Sequence, residues 1–338
     1  MADIAENQSD GSPQFDPRIQ TEDIAFKPDE MQPCTACKRL NPPTRLRCLY
    51  CGAEVEVKPE NAVLIKPASR KLEPWERGFN VILREAITAE QANLTKIASF
   101  LSTEPDDVRV ILDAMAPLPL ARVESEKEAE IIVTGLANLG LKCSTLADAD
   151  IADDKLPVRL SNIEISDNNV TVTDFNTRKV TIIETGDLAL IIPGILTTNK
   201  VDSLEKKGRR GKTKLIDETT TSSDESILDL YSQHDPVGYR VYLTGFDFSC
   251  LGDEKGLIAV ENMRRLVAVL KEHAPNARVV SDYKKVRPAL GQVWEIESRK
   301  DPQGLQRSGF GKMEFGSVVS TSNLRQFTKY SRLQWHLL

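Results

Sequence analysis

Four of the six cysteines in this 338-residue chain form two closely spaced pairs, Cys34-x-x-Cys37 and Cys48-x-x-Cys51. Two such knuckles, ten residues apart, can bring four thiolates around one ion, and an all-sulfur tetrahedral shell suits zinc. Four protein ligands leave no position for a water, so the expected metal holds a fold together and does no chemistry of its own. About twenty residues cannot bury a core that offsets their chain entropy, so the stretch should need its metal to fold. One structural Zn2+ per chain, on Cys34, Cys37, Cys48 and Cys51, is the expected cofactor.

Two basic clusters are the other chemically loaded features. Arg39, Arg45 and Arg47 lie among the cysteines with Tyr50, the residue types of a small single-strand platform where bases stack and guanidinium groups meet phosphates. Lys206, Lys207, Arg209, Arg210, Lys212 and Lys214 crowd a glycine-softened loop, which could grip phosphate or an anionic lipid surface. Either cluster could equally be a solvated face. The acidic run Asp217-Glu218 to Asp224-Glu225 could fold over the second cluster and neutralise it. Gly208-x-x-Gly211-Lys212-Thr213 falls short of the GxxxxGK[ST] spacing a phosphate loop requires, and its flanks are polar. His234, His273 and His336 are scattered, and none has an acid and a nucleophile in a recognisable motif. Asp247 and Asp253 around Cys250 read as local caps beside a small buried hydrophobe. No catalytic residue is expected, and the chain reads as a non-enzyme.

The string from Cys34 to Gly52 resembles the RanBP2-type zinc finger and the bacterial zinc ribbons that precede other modules. Asn41 stands after Cys37 at that finger's spacing, and the resemblance implies that its side chain ties the loop together. Ubiquitin-binding members carry Thr-Phe after the second cysteine, where this chain has Lys38-Arg39. Gln32 replaces the tryptophan that precedes the first cysteine.

The remaining sequence must supply a body for this module. Charged content of 28% and hydrophobic content of 40% suit a soluble protein of two or three domains. The net charge of −6 argues against whole-molecule attraction to nucleic acid. Residues 1–30 are acidic and aperiodic, and read as a disordered tail. Without a long apolar run or an export signal, and with reduced cysteines, the expected location is cytoplasmic.

After the module (31–55) and a linker (56–78), residues 79–147 read β-α-α-β-α-β. Strands are expected at 79–83, 118–123 and 141–146, with helices capped by Thr88, Thr103 and Ser125 and the third closed by Gly140. This order resembles the C-terminal domain of the ribosomal stalk protein and the related protease adaptor, both protein-docking folds. Asp148–Asp154 reads as an acidic connector. Residues 158–338 are expected to be β-rich, with eight antiparallel strands at 159–165, 169–174, 179–184, 188–192, 195–199, 213–217, 227–231 and 239–244. Pro193-Gly194 reads as one of the turns. A long helix over 259–273 follows, with Met263, Leu266, Val267 and Leu270 as its buried stripe. This half resembles a pleckstrin-homology-like domain, a curved sheet closed by one helix. The aromatic last 60 residues should pack on it or extend its sheet, with glycines 304, 309, 311 and 316 in loops. The expected fold class is multidomain α+β. The expected role is a zinc-binding adaptor or regulator acting on another protein; the alternative is binding of single-stranded RNA or DNA.

Overall fold

The computed structural model of the chain describes residues 26–56, apart from 28, 29 and 46, and residues 72–338, apart from 74, 86, 89, 91, 208–212 and 310–311. The chain divides into two compact units, Met1–Lys58 and Pro59–Leu338.

In the first unit two short strands, β1 (Gln32–Pro33) and β2 (Leu40–Asn41), pair antiparallel. The only buried apolar cluster among its described residues is Cys34, Cys48 and Val55. So small a core cannot offset the entropy of ordering the chain, which leaves the thiols as the means of holding it.

The second unit begins with the order read from the sequence. It runs β3 (Phe79–Leu83), α1 (Leu94–Leu101), α2 (Pro105–Asp113), β4 (Pro119–Val123), α3 (Glu126–Asn138) and β5 (Cys143–Ala147). These strands form an antiparallel sheet in the order β4-β3-β5. Ser125 caps α3 by accepting the Glu128 N–H, and Gly140 ends it at φ 87°. There the N–H groups of Gly140 and Leu141 reach back to Ala137 and Leu136, which satisfies the orphaned carbonyls.

Two expected caps move. Helix α1 starts at Asn93, which accepts the Lys96 N–H, and not at Thr88. Helix α2 starts at Glu104 with Pro105 in its first turn, while the Thr103 hydroxyl donates to Asp107. The first helix is shorter because Asn93 caps it nearer its first turn; Glu104 makes no side-chain cap bond, and Pro105 fixes the start of the second. The acidic connector is also ordered. Asp148–Ile151 forms the short helix α4, and Asp148 is buried.

Next come β6 (Val158–Ile165), β7 (Asn169–Asp174), β8 (Val180–Glu184), β9 (Leu188–Lys207), β10 (Thr213–Ser232), β11 (Tyr239–Tyr242), α5 (Ala259–His273), β12 (Arg278–Val279), α6 (Tyr283–Leu290), β13 (Glu297–Gly309), β14 (Lys312–Ser322) and α7 (Leu324–His336). Their strands make one large sheet in the order β13-β14-β9-β10-β11-β6-β7-β8, with β12 on β9.

Among the described residues, six strands thus replace the eight expected before α5. Pro193-Gly194 is no turn: it lies inside β9, opposite Leu228 and Ile227. Ile191 on the same strand turns its carbonyl away from β10, to the N–H of Val280. Pro193 shares that parity, so its missing N–H faces away from the β10 ladder and costs no bond there. The sheet is not wholly antiparallel either, because β11 on β6 and β12 on β9 run parallel. The C-terminal residues extend the sheet through the β13–β14 hairpin and then pack on it as α7. Gly304, Gly309 and Gly316 therefore sit in strands and not in loops; Gly311 lies outside the described residues.

Alternation along β9 sorts the core into two layers. Ile191 with Leu228 and Leu230 faces Met263, Leu266 and Leu270 of α5. Leu190, Ile192 and Ile227 face Phe327, Tyr330 and Leu333 of α7. That second layer is continuous with the buried residues of the β4-β3-β5 sheet.

A buried polar chain ties the same parts together. Asn323 bonds Thr197 and Ile195 of β9 and the Tyr283 hydroxyl, which donates to Gln326. Gln326 bonds the Trp294 carbonyl, the Trp294 indole donates to Asn80, and Asn80 donates to Asp148. Each link satisfies a group whose burial would otherwise be costly.

Candidate metal centre

The two knuckles of the first unit repeat one backbone pattern. Cys34 takes its N–H to the Arg39 carbonyl and receives the Lys38 N–H on its own; Cys48 does the same with Ala53 and Gly52. Each loop must turn through a left-handed residue, Lys38 at φ 61° and Gly52 at φ 73°. The thiols of Cys34 and Cys51 lie 3.7 Å apart and those of Cys37 and Cys48 3.5 Å apart. All four sulfurs fall within 4.8 Å of one another. A tetrahedral shell with metal–sulfur bonds of about 2.3 Å sets its sulfurs roughly 3.8 Å apart, so the four cysteines are placed to bind one metal ion.

The surroundings favour thiolates. Asn41 is fully buried and spans both knuckles: its amide donates to the Arg39 carbonyl and to Cys48 Sγ, and its oxygen accepts the Leu49 N–H. Tyr50 N–H also points at Cys48 Sγ, 3.4 Å away. Burial works against the Cys48 thiolate, yet these donors bring its pKa down to about 6. The N–H of Cys37 foremost, against burial, lowers Cys34 as well. The N–H of Ala53 favours ionised Cys51, but Cys37, Cys34 and Cys48 around it push its pKa up to about 12. Four like charges cannot share one small site unaided; a divalent cation is the partner that lets all four ionise.

Around this cluster Arg39, Arg45, Arg47 and Tyr50 are all exposed. The structure brings two of them together, with the Arg39 guanidinium 4.8 Å from the Tyr50 ring centre. Arg47 faces Glu54 through an isolated backbone bridge. Leu40 and Leu49, beside Asn41, are also about half exposed.

Of the second basic cluster, Arg209, Arg210 and Lys212 lie outside the described residues, as do the side chains of Lys206, Lys207 and Lys214. Asp217–Glu225 continues along β10, held in register against β9. Asp247 bonds Ser249 and Lys255 around a 3-10 turn over Ser249–Glu254, and Cys250 beside it is half buried.

A second group of ionisable residues has no signature in the sequence. Lys329 of α7 is 4% exposed, and its ammonium lies 3.6 Å from both Asp148 and Asp153. Asp148 also binds the Arg122 guanidinium and the Gly78 N–H, and Arg325 bonds Asp153. Burial lowers the Lys329 pKa although both carboxylates pull it up. Burial would raise that of Asp148, but Lys329, Arg122 and Asn80 hold it below the ordinary carboxylate range. These residues come from β4, from α4 and the turn after it, and from α7, and reach from Arg122 to Lys329 in sequence, so no local spacing announces them.

Among the described residues no helix is long and apolar enough to cross a membrane. Comparison with family models, with curated proteins and with solved structures finds no match to this chain.

Proposed function

We propose that the chain is a non-enzymatic adaptor or regulator whose N-terminal module, a RanBP2-like ribbon held by one structural zinc, contacts another protein. The closed four-thiolate site carries this reading, since it leaves no position for substrate or water. A protein contact is favoured by what surrounds the site. Leu40, Leu49 and Tyr50 are 47%, 55% and 56% exposed. In a module with so small a core, apolar side chains left in solvent mark a surface made to be covered. The ribosomal-stalk-like order of residues 79–147 supports the same role, being that of a docking architecture. The Arg39–Tyr50 stack supports the second reading, a platform for single-stranded RNA or DNA.

Metal analysis of the untagged protein, purified under reducing conditions, tests the first step: one zinc per chain is expected, and its absence after anaerobic handling removes the proposal's basis. Titration with labelled single-stranded RNA separates the two readings. Salt-sensitive binding that is lost in Arg39→Glu with Tyr50→Ala would install the nucleic-acid role. No binding, together with a defined protein partner lost in Leu49→Asp, would establish the adaptor.

A further inference from the structure

Strand β10 carries a long edge that no described residue uses. β11 pairs with β10 only at Ile227–Leu230. Before that point the β10 main chain is bonded among the described residues to β9 alone, while the Glu225 carboxylate accepts the Thr244 N–H, and Asp217 to Asp224 are exposed. The ladder fixes which groups are on offer. Ile191 faces away from β10, and the register runs unbroken from Ile191 opposite Leu230 to Leu204 opposite Asp217. The even-numbered residues of β10 therefore face away from β9. Glu218, Thr220, Ser222 and Asp224 turn their N–H and C=O groups to the open side, a row of main-chain donors and acceptors ready for another strand.

The side chains restrict who can pair. Asp217-Glu218 and Asp224-Glu225 bracket the uncharged run Thr219-Thr220-Thr221-Ser222-Ser223. A second copy can pair all four outward residues in one antiparallel register, centred on Thr221. That register sets Asp217 opposite Glu225 and Glu218 opposite Asp224, like charge against like on both faces. The edge is thus built against itself. Its run of Thr and Ser, residues of a pleated half-exposed surface, still suits a strand of complementary charge.

We propose that this edge of β10 accepts an extended segment of a partner protein by strand addition, with Lys or Arg at the positions facing these acids. The edge belongs to the second compact unit and does not involve the cysteines, so it and the zinc module stand or fall separately.

The test uses the full chain and a fluorescein-labelled peptide alternating lysine and valine, followed by anisotropy, with a glutamate–valine peptide as control. Saturable binding of the lysine peptide, about tenfold or more tighter than the control, is expected. Thr220→Pro removes one outward N–H and leaves the β9 ladder alone; it should keep the melting temperature and lose about tenfold in affinity. Should it melt early, a lysine peptide N-methylated at alternate residues asks the same question from the ligand side. Asp217→Lys with Glu218→Lys, which leaves Asp224 and Glu225 as the only acids on the edge, should remove the preference between the peptides. Binding that ignores both the proline and the N-methyl groups would mean charge attraction without strand pairing, and would overturn the proposal. No saturable binding would also overturn it, as would self-association of the free chain that Thr220→Pro abolishes.

Discussion

Lys38 and Gly52 occupy the same place in the two cysteine knuckles. Each follows the second cysteine of its pair, each has a positive φ, and each donates its N–H to the carbonyl of the first cysteine. Glycine takes that conformation freely; lysine does not, because its Cβ crowds the following carbonyl at a cost of roughly 1–2 kcal/mol. The first knuckle therefore carries strain that the second avoids.

Lys38→Gly should relieve it. The gain is reduced because glycine frees the unfolded chain, leaving about 0.5–1 kcal/mol. Resistance of the bound metal to a chelator should rise accordingly. Gly52→Ala is the mirror experiment. No atom lies within 4 Å of a Cβ there, so the expected loss of about 1 kcal/mol is backbone strain alone. Equal metal retention in all three proteins would show that the left-handed residues do not limit the module.

The buried pair Lys329 and Asp148 should respond unequally to mutation. Asp148 accepts from Gly78, Asn80 and Arg122, so Asp148→Asn strands Arg122 and should cost about 3–5 kcal/mol. Lys329→Met removes a charge whose burial already outweighs its partners, and Arg122 and Arg325 still serve the two carboxylates; a change within about 1 kcal/mol is expected. The pH response follows from the depressed Asp148 pKa. Its contribution is full above the ordinary aspartate value, near 3.8, and disappears as pH falls through the lower folded value. Acid unfolding of Asp148→Asn should therefore be shallower than that of the native chain. Identical acid transitions would rule out this role for Asp148.

The same helix shows where sequence reading stops. Cysteine spacing reveals the metal module because four ligands in one short stretch fix both geometry and chemistry. The apolar periodicity of 79–147 and the Ser125 cap are equally local. Helix α7 is not: Gln326, Thr328, Lys329, Ser331, Arg332 and Gln334 are all buried, although such residues normally mark a solvated face. Partners in distant elements make their burial tolerable, as when Arg332 caps the carbonyls of Ile151, Ala152 and Lys155. Pro193-Gly194 misleads for a related reason: turn chemistry is harmless on the side of β9 away from β10, at a point between the residues that β12 and β14 pair.

Asp229 and Arg240, opposite each other on β10 and β11, are both buried and joined by two bonds of 2.6 and 2.7 Å. Arg240→Met leaves Asp229 charged without its cation and should cost about 3–5 kcal/mol. Adding Asp229→Leu should recover most of that loss, since Ser331 keeps the Tyr231 hydroxyl as a partner. Thermal melts of the two single mutants and the double mutant measure the coupling directly. Additive losses would mean the pair contributes nothing beyond its separate packing.

Gly194 of β9 lies against Phe327 of α7. A Cβ placed there would come 2.2 Å from the Phe327 ring, which is itself fully buried and edge-on to Tyr283 at 4.8 Å between ring centres. The ring has no room to retreat, so Gly194→Ala must push α7 off β9 at a cost of about 1–3 kcal/mol, as overpacking does elsewhere. Phe327→Leu alone should also destabilise, through the space it leaves. Combined with Gly194→Ala it should cost less than the two single losses added together, because the new methyl group occupies part of that space. A melting temperature for the double mutant at or below the sum of the single losses would mean that α7 is held by its polar contacts to Asp229 and Asp148 and not by this contact.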